Sequence, residues 1–169
     1  MVSILSSSTS AFITYLLFNK FRKEESNQNL SLTVMNSSLA GLVMITGVCD
    51  DVNVYSALVI GFSAGLCYLT ATQVLERYRV DDPVEAVQIH GVCGFFGLLN
   101  VGIFGNKYGL ITTSENSFKQ FGIQVLGAIS LAAWAFLTSY VYFKTVKSLG
   151  RLRVNKFYEI VGIDIVMHT

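Results

Sequence analysis

Five stretches of mostly apolar residues, separated by short polar segments, divide this chain. They cover about residues 4–20, 30–48, 55–75, 84–104 and 118–143. A helix that crosses the ~30 Å hydrocarbon core of a bilayer needs about 20 residues. The last three stretches have that length, whereas the first two are short and polar for helices that face lipid. The pattern predicts an all-α integral membrane protein, with a transmembrane helical bundle over residues 1–144 and a polar tail over residues 145–169.

Composition agrees with a membrane protein and excludes several other classes. Of the 169 residues, 52% are hydrophobic and 14% are charged, and the mean hydropathy is +0.53, whereas average chains carry about 25% charged residues. The net charge is +1, and no basic cluster with interleaved aromatic residues predicts a nucleic-acid partner. Cys49, Cys67 and Cys93 form neither a CxxC motif nor a Cys/His metal spacing, so we expect no disulfide framework, no metal site and no cofactor.

The distribution of basic residues predicts the orientation. Ten of the 12 lysines and arginines lie in the first loop, the third loop and the tail, and cytoplasmic segments carry the excess of positive charge. We therefore expect these segments and the C-terminus in the cytoplasm and Met1 outside. The first stretch lacks a charged start and a cleavage site, which favours a membrane span over a signal peptide. A span that begins directly at an outside terminus leads us to expect further residues upstream.

His90 lies within the fourth apolar stretch. An ionisable residue inside a membrane span is costly to bury and commonly faces a pathway or cavity. The alternative is a structural histidine that forms hydrogen bonds between helices. On a helix, residues three, four and seven positions away share the face of His90, and these are mostly small: Ala86, Val87, Cys93, Gly94 and Gly97.

The start of the same stretch carries residues typical of a helix terminus. Pro83 lies at the expected first turn, where proline is common. Asp81 or Asp82 can accept hydrogen bonds from the free backbone N–H groups of that turn. A structural cap by Asp82 and Pro83 is therefore the simplest interpretation of these residues.

Four segments of the chain, taken in order, resemble consecutive signatures of the ammonium transporter family (Amt/Mep). They are residues 38–52 (SLAGLVMITGVCDDV), 55–68 (YSALVIGFSAGLCY), 80–104 (VDDPVEAVQIHGVCGFFGLLNVGIF) and 152–168 (LRVNKFYEIVGIDIVMH). The resemblance implies the C-terminal half of the family fold, spans seven to eleven of an eleven-helix inverted repeat. It also implies a trimer with one pore in each subunit, and a transporter, not an enzyme.

The resemblance assigns roles to single residues. His90 matches the second of two paired pore histidines, and Ala86 falls at a pore-lining position one turn earlier. Thr46 matches a threonine near the outer vestibule, although Gly47 follows it where the family has proline. Asp82 matches the aspartate that heads the pore helix. The first pore histidine, the phenylalanine gate and the aromatic cation site belong to the half that this chain lacks.

The tail residues Gly162, Asp164 and His168 match a G-x-D…H motif. The resemblance implies that this motif contacts the neighbouring subunit and controls opening. Composition alone fits a disordered end equally well, since chain termini are commonly disordered.

Three hypotheses follow. The first is transport of ammonium or ammonia through a pore with a proton-accepting histidine. In this hypothesis the chain is a C-terminal fragment of the transporter and lies in the lipid bilayer of the plasma membrane. It forms a homotrimer, or hetero-oligomers with full-length subunits. The second is a truncated membrane protein that associates with full-length transporter subunits without conducting. The third is an unrelated five-span scaffold, which four ordered signatures argue against.

Overall fold

The computed structural model describes residues 1–19 and 30–154. These residues form α-helices and turns without any strand, which confirms the predicted all-α fold. The helices are α1 (Val2–Asn19), α2 (Leu30–Ile45), α3 (Val54–Arg77), α4 (Gly94–Phe104) and α5 (Ser117–Ser148). A π-helical segment, Val87–Cys93, runs directly into α4, and a 3-10 turn, Leu110–Thr112, precedes α5.

Three helical stretches are long and apolar enough to cross a membrane. They are Val54–Arg77, Val87–Phe104 and Ser117–Ser148, with 24, 18 and 32 residues. The shorter apolar helices Ile4–Phe18 and Leu32–Ile45 are the two that the sequence marks as short. The chain is thus a multi-pass membrane protein.

Small residues allow α1, α2 and α3 to pack closely within the first compact unit, Met1–Ala128. A Cβ atom added at Gly65 would lie 2.7 Å from the backbone oxygen of Ala11, and one at Gly41 would lie 2.7 Å from that of Ser7. The Ser7 hydroxyl donates a hydrogen bond to the Gly41 carbonyl at 2.9 Å. Lipid supplies no hydrophobic drive between helices, so close backbone approach at small residues provides the packing energy.

Buried side chains extend this core towards the fourth helix. Met44 and Ile60 are fully buried, as is Tyr68, whose ring lies 5.9 Å from that of Tyr15. Ile89 and Cys93 of the π-helical segment belong to the same cluster. The segment that carries His90 is therefore fixed against α2 and α3 through its buried side.

The second compact unit, Ile129–Thr169, is described up to residue 154. Within it, the second half of α5 exposes most of its apolar side chains, Trp134 and Phe136 among them. The Phe136 and Tyr140 rings stack with their centroids 6.3 Å apart. Such an apolar surface is typical of a helix in contact with lipid.

Candidate functional site

A turn over residues 81–85 precedes the helix that carries His90. The Asp82 carboxylate accepts a hydrogen bond from the Val87 N–H at 2.8 Å, an arrangement compatible with the expected cap. The helical segment begins at Val87, however, and not at residue 84. Pro83 lies in the turn ahead of the helix, so the prediction that it occupies the first helical turn is wrong.

The backbone conformation of Glu85 explains why the helix starts later than the sequence predicts. Its φ of 55° lies in the left-handed region, which residues other than glycine seldom adopt. A helix cannot continue through that conformation, so the right-handed helix starts only after it. The Ile89 N–H still donates to the Glu85 carbonyl at 3.1 Å, which connects the turn to the helix.

The Glu85 carboxylate holds the turn against two other helices. Its Oε2 accepts a hydrogen bond from Asn36 Nδ2 of α2 at 2.6 Å and another from the hydroxyl of Tyr68 in α3. Strained backbone persists where the surroundings over-determine it, and these two partners do so here. Sequence reasoning missed Glu85, although an acidic residue inside a predicted span is itself a signal of function.

His90 lies in the middle of the π-helical segment. π-helical segments are rare in proteins, and many of those that occur lie at functional sites. Gln88, Ile89 and Cys93 form its buried side, and the Cys93 thiol lies 3.8 Å from the Ala64 carbonyl of α3 as a hydrogen-bond donor. His90 projects from the exposed side, together with Ala86. The buried side thus fixes the backbone from which the imidazole extends.

The surroundings of the imidazole are open within this chain. Cβ atoms added at Gly91 and Gly94 would meet their nearest neighbours only at 3.8 Å, whereas one at Gly97 would lie 2.9 Å from the Met44 carbonyl oxygen. The two glycines nearest His90 therefore leave space, and only Gly97 of these three is required by close packing. No residue of the described ranges is seen to hydrogen-bond the His90 ring, so the alternative of a bonded structural histidine finds no partner there.

Thr46 lies in the exposed turn that follows α2, with its hydroxyl donating to the Val43 carbonyl at 2.8 Å. The next residue, Gly47, packs against Val101 of α4, where an added Cβ would lie 3.0 Å from Val101 Cγ2. At ~1.5 Å per residue the helix advances about 16 Å from His90 to Val101. The structure thus brings Ala86 and His90 to one face and keeps Thr46 apart, near the other end of the helix.

Three of the expected site residues belong to the tail. Gly162, Asp164 and His168 lie outside the described residues, as does most of the first basic loop. Among residues 1–19 and 30–154, no group of three or more His, Cys, Asp or Glu side chains could hold a metal ion.

Comparison of the amino-acid sequence with known proteins identifies a single family. A model of the ammonium transporter family matches residues 1–169. The chain is 36% identical over 142 residues to ammonium transporter Amt2 of Archaeoglobus fulgidus, covering 79% of this chain and 30% of that protein. It is 31% identical over 154 residues to ammonium transporter 1 member 3 of Solanum lycopersicum, covering 82% of this chain and 33% of that protein.

Solved structures agree with the sequence comparisons. A protein described as a sensor Amt protein superimposes with a TM-score of 0.85 at 32% identity, covering 98% of this chain and 40% of that one. Saccharomyces cerevisiae Mep2 superimposes with a TM-score of 0.78 at 25% identity, covering 90% of this chain and 37% of Mep2. The chain spans about a third of the length of the curated relatives that it matches.

Proposed function

Because this chain belongs to the ammonium transporter family, we propose that it forms one wall of a pathway for ammonium or ammonia, with His90 as the proton-accepting group. One observation carries the proposal. His90 and Ala86 occupy the exposed side of a π-helical segment whose buried side is fixed on α2 and α3. The face is open because Gly91 and Gly94 have no close neighbours.

The chemistry of the substrate explains the use of a histidine. A cation that enters an apolar pore loses its water and incurs a large free-energy cost. Removal of one proton yields neutral ammonia and lowers that cost. An imidazole can accept a hydrogen bond or a proton near neutral pH. The diameter of the pore and the donors and acceptors along it then set selectivity.

We further propose that the chain acts as the C-terminal part of a larger transporter. The second wall of the pathway comes from residues outside this chain, and the complete subunits form a homotrimer in the plasma membrane. Thr46 lies near the outer entrance, and the tail with Gly162, Asp164 and His168 is cytoplasmic and regulates opening. The ten-to-two distribution of basic residues supports this orientation.

The test is ammonium uptake by yeast cells that lack their own uptake systems. The full-length protein that contains this chain should restore growth on low ammonium. The His90→Ala variant should lose or alter that activity. The matched control is Val92→Ala, two positions further along the same segment, which should retain it. Equal growth with full-length His90→Ala and the unchanged protein would contradict the role of His90.

The length of the chain relative to its relatives leaves a second candidate function. Residues 1–169 would insert as a product that associates with full-length subunits and does not conduct. Co-expression distinguishes the two. Under the second function, residues 1–169 alone give no uptake, co-purify with the full-length subunit and change its uptake. Growth supported by residues 1–169 alone would exclude it.

A further inference from the structure

The direction of the His90 side chain differs from the one that an ideal α-helix would give it. In an α-helix with 3.6 residues per turn, residues seven positions apart lie within about 20° of each other around the axis. His90 and Gly97 would then share one face. In the structure Gly97 is buried, and a Cβ added to it would lie 2.9 Å from the Met44 carbonyl oxygen of α2, whereas His90 is exposed. The imidazole is therefore turned away from the face on which the helix packs.

The π-helical segment Val87–Cys93 accounts for this rotation. Hydrogen bonds in a π-helix join residues five positions apart in place of four, so each residue turns less about the axis than in an α-helix. His90 lies three residues before the end of the segment, and the difference accumulates over these residues. With α-helical winding, His90 would turn towards the packed face that carries Gly97.

Contacts at both ends maintain the π-helical winding. At the C-terminal end Cys93 is buried, with its thiol 3.8 Å from the Ala64 carbonyl of α3. The N-terminal end follows Glu85, whose carbonyl accepts a hydrogen bond from the Ile89 N–H at 3.1 Å. π-helical segments are rare, which indicates that α-helical winding is preferred when nothing opposes it. Release of either end would therefore allow the segment to relax towards an α-helix.

The Glu85 side chain fixes the N-terminal end against two other helices. Its Oε2 accepts one hydrogen bond from Asn36 Nδ2 of α2 at 2.6 Å and another from the Tyr68 hydroxyl of α3. The Asp82 carboxylate, by contrast, accepts from the Val87 N–H of the segment itself. A single oxygen of Glu85 receives both bonds, and an amide oxygen in the same place has the two lone pairs to receive them as well.

We propose that Glu85 is a positioning residue, which maintains the π-helical winding of the segment after it and thereby keeps His90 turned towards the pathway. Glu85 acts through the backbone and does not contact the substrate. Its carboxylate is needed for the two hydrogen bonds and not for its charge. The proposal rests on the proposed function for the existence of the pathway, but the direction of the side chain at position 90 can be measured without transport.

The alternative role for Glu85 is attraction of the cation, because a carboxylate raises the local concentration of counter-ions. Glu85→Gln separates the two roles, since it removes the charge and keeps the acceptor oxygen. Attraction predicts that Glu85→Gln behaves like Glu85→Ala. Positioning predicts that Glu85→Gln behaves like the unchanged protein.

Thiol labelling measures the direction of position 90. His90→Cys is introduced into the full-length protein that contains this chain, with its native cysteines replaced by alanine. Methanethiosulfonate ethylammonium, a small reagent that carries an ammonium group, labels the new cysteine, and mass spectrometry gives the rate. Glu85→Ala should slow labelling about fivefold or more, because it removes two hydrogen bonds to a charged group and lets the segment relax. Glu85→Gln should label within about twofold of the unchanged rate, because it keeps both bonds.

Gly91→Cys and Asp81→Ala are the matched controls. Gly91 is also exposed, and a Cβ added to it would meet its nearest neighbour in the described residues only at 3.8 Å, so a cysteine there reports general access to the segment. Asp81→Ala removes an exposed carboxylate and leaves both bonds to Glu85, so labelling at position 90 should not change. If Glu85→Ala does not assemble, Glu85→Gly replaces it, because glycine adopts a left-handed backbone without strain.

Ammonium flux through vesicles, measured with His90 present, provides a second readout. Glu85→Ala should lower the maximal flux more than it changes the half-saturating concentration, and Glu85→Gln should restore the flux. A raised half-saturating concentration in both variants would support attraction of the cation and contradict positioning.

Three labelling results would overturn the proposal. They are an unchanged rate at position 90 in Glu85→Ala, an equal slowing at Gly91→Cys, and a Glu85→Gln variant that labels as slowly as Glu85→Ala. Labelling and flux together separate this proposal from the proposed function. Slower labelling in a protein that transports no ammonium would refute the transport function alone, whereas transport with unchanged labelling would refute the positioning role alone.

Discussion

Close packing of α1 on α3 at Gly65 gives a prediction whose size follows from the structure. A methyl group at this position would lie 2.7 Å from the Ala11 backbone oxygen and 2.8 Å from Thr14 Cβ. Neither neighbour is the end of a flexible side chain, so the two helices must separate by several tenths of an ångström. Overpacking of this kind costs roughly 1–3 kcal/mol. We expect Gly65→Ala to lower the free energy of unfolding by that amount.

Gly122 in α5 provides the matched control. The same methyl group there would meet nothing within 4 Å in the described residues, and alanine is favoured over glycine in a helix by up to about 1 kcal/mol. Gly122→Ala should therefore leave stability unchanged or raise it slightly.

The measurement is reversible unfolding of the full-length protein in mixed micelles with increasing sodium dodecyl sulfate. Gly65→Ala should unfold at a lower detergent fraction than both the unchanged protein and Gly122→Ala. If Gly65→Ala proved as stable as Gly122→Ala, the close contact between α1 and α3 would not contribute to stability as argued.

Three other predictions concern the turn, the orientation and the tail. In a double-mutant cycle, Glu85→Ala and Tyr68→Phe should show a coupling energy of about 1–3 kcal/mol in unfolding, because each removes the same charged hydrogen bond; additive effects would contradict it. Single cysteines within residues 20–29 and within the tail, placed in a protein without Cys49, Cys67 and Cys93, should be labelled only after the membrane is permeabilised. Labelling of both in intact cells would refute the orientation. When Gly162→Asp subunits are mixed with unchanged subunits, uptake should fall by more than the fraction of variant subunits, because a tail that contacts its neighbour closes more than its own pore. A loss of uptake in proportion to that fraction would show that the tail is not a shared gate.

The helices could be predicted from the sequence because hydropathy and length are local properties. The last three stretches emerge as the three helices of membrane-spanning length. Gly61 and Gly65 lie four residues apart, a spacing typical of closely packed membrane helices, and the structure shows both of them in contact with α1. Spacing alone could not show that close packing requires Gly97 but not Gly94, since this depends on the atoms that face each glycine in the folded chain.

The turn before His90 could not be predicted for a similar reason. The left-handed conformation of Glu85 depends on partners 49 and 17 positions away, Asn36 and Tyr68. Hydropathy therefore placed the start of the fourth helix three residues early and gave no sign of the π-helical segment. Likewise, only the folded chain shows that the buried side-chain oxygen of Gln88 has no hydrogen-bond partner among the described residues.

Flux through reconstituted vesicles tests the role of His90 most directly. The full-length protein, His90→Ala and His90→Glu are compared for ammonium and potassium flux, with trimer assembly checked by chromatography. We expect His90→Ala to assemble but to lose or alter ammonium transport, because the open face around Gly91 and Gly94 tolerates loss of the ring. His90→Glu should retain some conduction and admit potassium, since a carboxylate passes protons but also attracts cations. Unchanged rate and selectivity in His90→Ala would contradict the account and leave His90 as a packing residue.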